Sequence, residues 1–331
     1  MARVGIGFVV SMVALGAFAN PPMPDYPKIE PGPWFEVDAD WPQKPDEFTW
    51  AAMPGVTVDK EDNVWLFTRE VPSVQVYGPD GAYLFGWGET RGAHHIEIDR
   101  EGYVWTTDIA AHIVQKHKRD GTVLLSLGTE GEAGEDETHF FKPTDVAVAS
   151  NGDILVSDGY GNARVVHFKA DGSYVKAWGS LGAEDGKFSI PHAIAIDSRD
   201  RIYVADRNNA RIQVYNMDGD LIDSWKHLLI PWGFWITEDD TIWVCGSSPM
   251  PWQRTGEDAY AMLGIPPDDQ VVMAFDTEGK LLQYFAFPKA TDGEEQPGEL
   301  NWVHCIALDS KGNTYLGDIK GKRLQKFVLK R

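Results

Sequence analysis

Three histidines, His94, His192 and His304, stand at one position of a repeat that runs along this 331-residue chain. The position is counted from a turn that recurs at Asp59, Asp99, Ala149, Asp197, Thr237 and Asp309, spaced by 40, 50, 48, 40 and 72 residues. Five residues before each turn lie Pro54, His94, Thr144, His192, Trp232 and His304, so histidine fills every second unit. Nine histidines in 331 residues would fill a given slot about once in 37, so composition does not explain the alternation. If six units close into a ring with this slot on the innermost strand, three imidazoles converge from about 120° apart. Three imidazoles with an open fourth position form the ligand set of a catalytic zinc or a similar divalent metal. The plainer reading, three satisfied core histidines, leaves the alternation unexplained.

Other slots carry further chemistry. Ten residues after the turn, Arg69 and Arg207 occupy units one and four. Fixed guanidinium groups there can hold a substrate carboxylate by paired hydrogen bonds, or they can be ion-paired with local Asp residues. Asp108, Asp158, Asp206 and Asp318 recur one residue earlier, a regularity that fits a strand-end role better than catalysis. His95 follows His94 directly, and strand alternation points it to the other face. His112, His117, His139, His167 and His227 fall on other slots and read as surface or packing residues.

The elements that must position these groups are short strands. The stretches 141–179 (FKPTDVAVASNGDILVSDGYGNARVVHFKADGSYVKAWG) and 188–225 (FSIPHAIAIDSRDRIYVADRNNARIQVYNMDGDLIDSW) each hold four β-rich runs separated by Asp/Asn/Gly turns, a four-stranded meander. The same unit spans 50–88, 92–128, 229–287 and 300–331, with a Pro-rich insertion between Ser247 and Gln270 in unit five. Six such units predict an all-β, six-bladed β-propeller, in which each blade needs its neighbours to bury its faces. The sixth unit stops after three strands, and the segment Trp34 to Asp40 can supply the missing strand and close the ring. A single domain over 20–331 is expected.

Thirty Lys plus Arg against fifty Asp plus Glu give a net charge of −20. That field repels phosphate backbones and anionic lipid heads, so nucleic-acid and membrane-surface partners are not expected. Residues 1–19 read as a signal peptide: Arg3, an apolar run from Val4 to Phe18, and a small-x-small site at Ala17-Phe18-Ala19. The apolar run is short for a membrane span. A secreted or periplasmic monomer is therefore expected, with no membrane contact after cleavage. Cys245 and Cys305 can pair in an oxidising compartment or stand as buried thiols.

The strings SDGYGNAR (157–164), FSIPHAIAID (188–197) and VADRNNARIQ (204–213) resemble the peptidyl-α-hydroxyglycine α-amidating lyases, six-bladed propellers of the NHL-repeat type. The resemblance runs from about Val56 to the C-terminus and is strongest over units three and four. It implies that His94, His192 and His304 are zinc ligands, that Tyr160 of SDGY is the active-site tyrosine, and that Arg69 and Arg207 are active-site arginines. The implied reaction cleaves a peptidyl-α-hydroxyglycine, or a related carbinolamide, to an amide and glyoxylate. A phenol near a cation and two arginines is expected to ionise readily. The family also has a structural calcium on two main-chain carbonyls, which match Val56 and Ile96, and on an Asp, whose position holds Cys305. A soft thiol is a poor ligand for a hard cation, which weakens that expectation here. Phe141 and Gly161 stand at two of the cysteine positions of the animal enzymes, and Trp302 replaces a methionine lining the site. The alternatives are a secreted NHL propeller that binds a protein or ligand without catalysis, a lactonase-type propeller, which would use a carboxylate-rich calcium site, and a lyase for a small hydroxyglycine derivative.

Overall fold

A computed structural model describes residues 34–90, 92–248 and 270–330. The expected leader and most of the insertion in unit five lie outside the described residues. Six antiparallel four-stranded sheets follow one another along the chain, and apart from a single 3-10 turn at Arg207–Asn209 no helix occurs among the described residues. The inner strands are Gly55–Val58, Ala93–Ile98, Asp145–Val148, Pro191–Ile196, Ile230–Ile236 and Val303–Leu308 for blades 1 to 6. Each packs against the inner strands of both neighbouring blades, so the six make a closed ring around a channel. The N-terminal strand Trp34–Asp38 pairs antiparallel with Arg323–Lys330, completing blade 6 as predicted.

The core follows from the repeat. Six clusters of buried apolar side chains are present, and each joins two adjacent blades. Between blades 1 and 2, for example, Trp65, Val74 and Val76 meet Ala93, Ile96 and Val104. No blade has a core of its own, which is why the ring must close. Truncating a fully buried aromatic such as Trp65 to alanine costs about 3–5 kcal/mol.

At one end of the inner strands the turns repeat a single device. Asp59, Asp99, Asp197 and Asp309 each accept backbone N–H groups two and four residues on. The second carboxylate oxygen takes the indole of Trp65 or Trp105, or the phenol of Tyr203 or Tyr315. Neighbouring blades are latched there by serine: Ser150 to Asp200, Ser198 to Asp240, and Ser310 to Asp62, the last across the closure. The strand-end aspartates also behave as expected. Asp158, Asp206 and Asp318 accept the backbone N–H groups of Phe141, Ser189 and Asn301, while Asp108 takes those of Ala110 and Ala111.

Candidate metal centre

The slot of the three histidines lies at the other end of the inner strands. The pairing of the two innermost strands skips one residue at His94, at His192, at Trp232 and at His304. Each is therefore the extra residue of a β-bulge, a local kink that re-aims a side chain. All three imidazoles are buried, and their centroids are 4.8–5.0 Å apart. One nitrogen from each falls within 4.8 Å of the others.

Blades without histidine orient those that have it. His94 Nδ1 donates to the carbonyl of Thr144 at 2.5 Å, His192 Nδ1 to Trp232 at 2.6 Å, and His304 Nδ1 to Pro54 at 2.9 Å. A carbonyl can only accept, so each Nδ1 carries the proton and each Nε2 presents a lone pair. The three acceptors are the slot residues of blades 3, 5 and 1. Burial holds the pKa values of His94 and His192 well below the usual histidine value and that of His304 down to about 3. Three neutral imidazoles with fixed tautomers are what a divalent metal requires. His304 Nε2 is buried with no hydrogen-bond partner, an orphaned acceptor that a cation would satisfy.

Tyr160 reaches this centre from the loop after the second strand of blade 3. Its hydroxyl lies 2.9 Å from His192 Nε2 and 3.1 Å from His94 Nε2. Arg207 opens the 3-10 turn of blade 4, with its Cζ 5.6 Å from the Tyr160 ring and 4.7 Å from the Trp232 ring. Arg69 donates from Nε to the Ala93 carbonyl at 3.1 Å, beside His94. Among the described residues, no carboxylate lies within ion-pair distance of either guanidinium. Neither arginine is ion-paired with a carboxylate there, and the charge of Asp108 acts on Arg69 only from beyond that distance. Burial pushes the Tyr160 phenol up, against the opposing pull of Arg207 and Arg69. The two guanidinium groups pull the phenol towards ionisation as expected, and burial opposes them.

Two further expectations change. His95, the residue after the bulge at His94, lines the channel cavity. His95 Nε2 donates to Asp145 at 2.8 Å and is not among the converging nitrogens. Asp145, a residue the sequence argument passed over, carries no spacing signal, since it occurs in one blade only. At the calcium position, Val56 and Ile96 line the channel. The Cys305 thiol is buried, pushed well above the usual thiol range and directed to the Met53 carbonyl at 3.6 Å. A neutral thiol turned to another acceptor does not fit a hard cation. Cys245 and Cys305 are both free and buried.

The remaining residues fall as expected. His117 and His167 are packing residues, bonded to Thr106 and Asp153, and His139 lies at the surface with Asp136. Phe141 and Gly161 are neighbours through a 2.8 Å backbone hydrogen bond. Trp302 packs edge-on against Trp232 at 4.8 Å, at the wall of the centre.

The family profile described as NHL repeat matches residues 140–168 and 188–215, in blades 3 and 4. Human NHL repeat-containing protein 3 is 32% identical over 317 residues, covering 89% of this chain and 84% of that protein. The peptidylglycine alpha-amidating monooxygenase of Rattus norvegicus is 44% identical over 232 residues, 56% of this chain but only 24% of the rat protein. A probable peptidyl-alpha-hydroxyglycine alpha-amidating lyase of Caenorhabditis elegans is 40% identical over 138 residues, 40% of this chain and 39% of that protein. The matches to these two amidating enzymes thus span well under half of their length. Among solved structures, a streptogramin B lyase superposes with a TM-score of 0.59 at 14% identity, covering 90% of this chain and 98% of that one, which is a likeness of fold. The chain belongs to the family of NHL-repeat propellers that includes the peptidyl-α-hydroxyglycine α-amidating lyases.

Proposed function

We propose that this chain is a metal-dependent carbon–nitrogen lyase acting on a carbinolamide, R–CO–NH–CH(OH)–COO⁻, as in a peptide or small molecule ending in α-hydroxyglycine. The products are an amide and glyoxylate. The observation that carries the reading is the set of three buried, neutral imidazoles that turn Nε2 to one point beside the Tyr160 hydroxyl. A zinc ion, or a similar divalent cation, held by His94, His192 and His304 would supply Lewis acidity at the substrate hydroxyl.

The chain's own residues account for the rest. Tyr160 is the group that takes the hydroxyl proton as the carbonyl of glyoxylate forms. The carbon–nitrogen bond breaks with its electron pair on nitrogen, and that nitrogen receives a proton, so the phenol is regenerated if it delivers the same one. Arg69 and Arg207, with no carboxylate at ion-pair distance among the described residues, hold the substrate carboxylate and fix the hydroxyl relative to Tyr160. Their partial burial strengthens that attraction.

The test is glyoxylate release from α-hydroxyhippurate by the purified protein, with and without a chelator. Release abolished by the chelator and restored by zinc is the expected result. Absence of release in protein holding one metal per chain would overturn the substrate assignment. Absence of both metal and release favours the second reading, a propeller that binds a protein or ligand without catalysis. That reading draws on the near full-length match to a relative named for its repeats alone. The apolar pattern of residues 1–19 supports an exported protein, secreted or periplasmic. Among the described residues no helix is long and apolar enough to cross a membrane.

A further inference from the structure

Asp145 begins the inner strand of blade 3, is 2% exposed, and touches three blades at once. Its Oδ1 accepts from His95 Nε2 of blade 2 at 2.8 Å and from the backbone N–H of Val146 at 2.6 Å. Its Oδ2 accepts the backbone N–H of Ile194 in blade 4 at 3.0 Å. His95 adjoins His94, and Ile194 lies two residues beyond His192. Thr144, the residue before Asp145, supplies the carbonyl that orients His94, and its hydroxyl donates to the carbonyl of Pro191, next to His192, at 2.7 Å.

The equivalent positions of the other blades show what is special here. They hold Gly55, His95, Ala193, Gly233 and Cys305. In blades 1 and 5 a Cβ would meet the next inner strand closely: 3.1 Å from Ile96 N at Gly55, and 3.0 Å from the His304 carbonyl at Gly233. A side chain in this slot therefore wedges between inner strands, and most blades keep it small. Blade 3 puts a carboxylate there instead, and all its contacts run to the two histidine-bearing neighbours or to its own backbone.

We propose that Asp145 is a positioning residue for the metal centre: it clamps the bulges of His94 and His192 at a fixed separation through His95 and the Ile194 N–H. The proposal rests on the three histidines holding a metal. Supports behind metal ligands that are removed lower affinity by about ten- to a hundredfold. Asp145→Asn is near isosteric but cannot accept on both sides, because one carboxylate oxygen becomes a donor.

The experiment compares zinc affinity, by competition with a chromophoric chelator, and the visible d–d bands of the cobalt(II) protein, in wild type and Asp145→Asn. A control, Asp153→Asn, removes the carboxylate charge from the buried His167–Asp153 pair, also 2.8 Å, at the other end of the same blade. The expected result is a tenfold or greater loss of zinc affinity and an altered cobalt spectrum in Asp145→Asn. Asp153→Asn should lower thermal stability and leave both metal readouts unchanged. Wild-type affinity and spectrum in a folded Asp145→Asn protein overturn the proposal. If that variant does not fold, His95→Ala, which removes the donor to Asp145, decides in the same way, with weakened zinc binding expected and wild-type binding overturning. A wild-type protein that takes up no metal removes the reading beneath the proposal, and the proposal with it.

Discussion

The two ends of the inner strands lie five residues apart and follow opposite rules. At the turn end, four of six blades use the same aspartate with the same backbone and aromatic donors, and serine–aspartate latches join the blades. At the slot end no such uniformity holds: histidine alternates with Pro54, Thr144 and Trp232, and each histidine leans on the carbonyl of the next blade. The turn end solves a problem every blade shares, satisfying the buried polar groups of a tight turn. The slot end must build one asymmetric site from six similar strands, so its residues diverge. Substitutions at the two ends should accordingly move different observables.

The largest effect is expected from His192→Ala. On the proposed function it removes a metal ligand, so stoichiometric metal should be lost and glyoxylate release should fall by about 10⁴-fold or more. Turnover persisting in a metal-free variant would show that the slot end is not the chemical end. Tyr160→Phe should keep metal content while kcat drops about 10²–10⁴-fold, the range of a lost proton-transfer group. A loss of metal in that variant would merge two roles kept apart here. Arg207→Ala should lower kcat/KM by about 10–100-fold, mainly through KM if it binds the carboxylate uniformly.

Stability separates the ends further. The three histidines of the metal-free protein are neutral when folded, and their pKa values are depressed by burial. Unfolded histidines take up protons below about pH 6.5. The folded state then binds fewer protons than the unfolded one, so stability falls as pH drops from 6.5 towards the folded values. Denaturant midpoints between pH 7 and 5.5 should reveal about 1 kcal/mol lost per histidine, and the His192→Ala variant should lose less. A flat profile would show that the imidazoles titrate freely. Smallest is Asp309→Ala at the turn end, about 1–2 kcal/mol in unfolding free energy, read with kcat and metal content unchanged.

The fold was legible because its repeat is chemical as well as numerical. The recurring turn and the short third strand let six units be counted, and the missing strand of blade 6 pointed to Trp34–Asp38. The histidine alternation exposed the centre for the same reason. What stayed hidden has no side-chain signature. Thr144, Trp232 and Pro54 act through backbone carbonyls, which any residue supplies. The bulge at His94 adds a residue on one strand, so counting alternate faces misdirected His95, and with it the role of Asp145. The balance at Tyr160 depends on how deeply the phenol is buried, a quantity set by the packed ring.

The pairing of Trp34–Asp38 with Arg323–Lys330 ties the first described strand to the last, and the bond from His304 to Pro54 spans 250 residues. Contacts so distant in the chain carry a loop-closure entropy that grows slowly with length, and a fold rich in them folds slowly. His304 comes from blade 6 and leans on blade 1, so the set of three histidines is complete only when these two blades meet. Closing the ring and bringing the third histidine to the other two thus depend on the same meeting of blade 6 with blade 1.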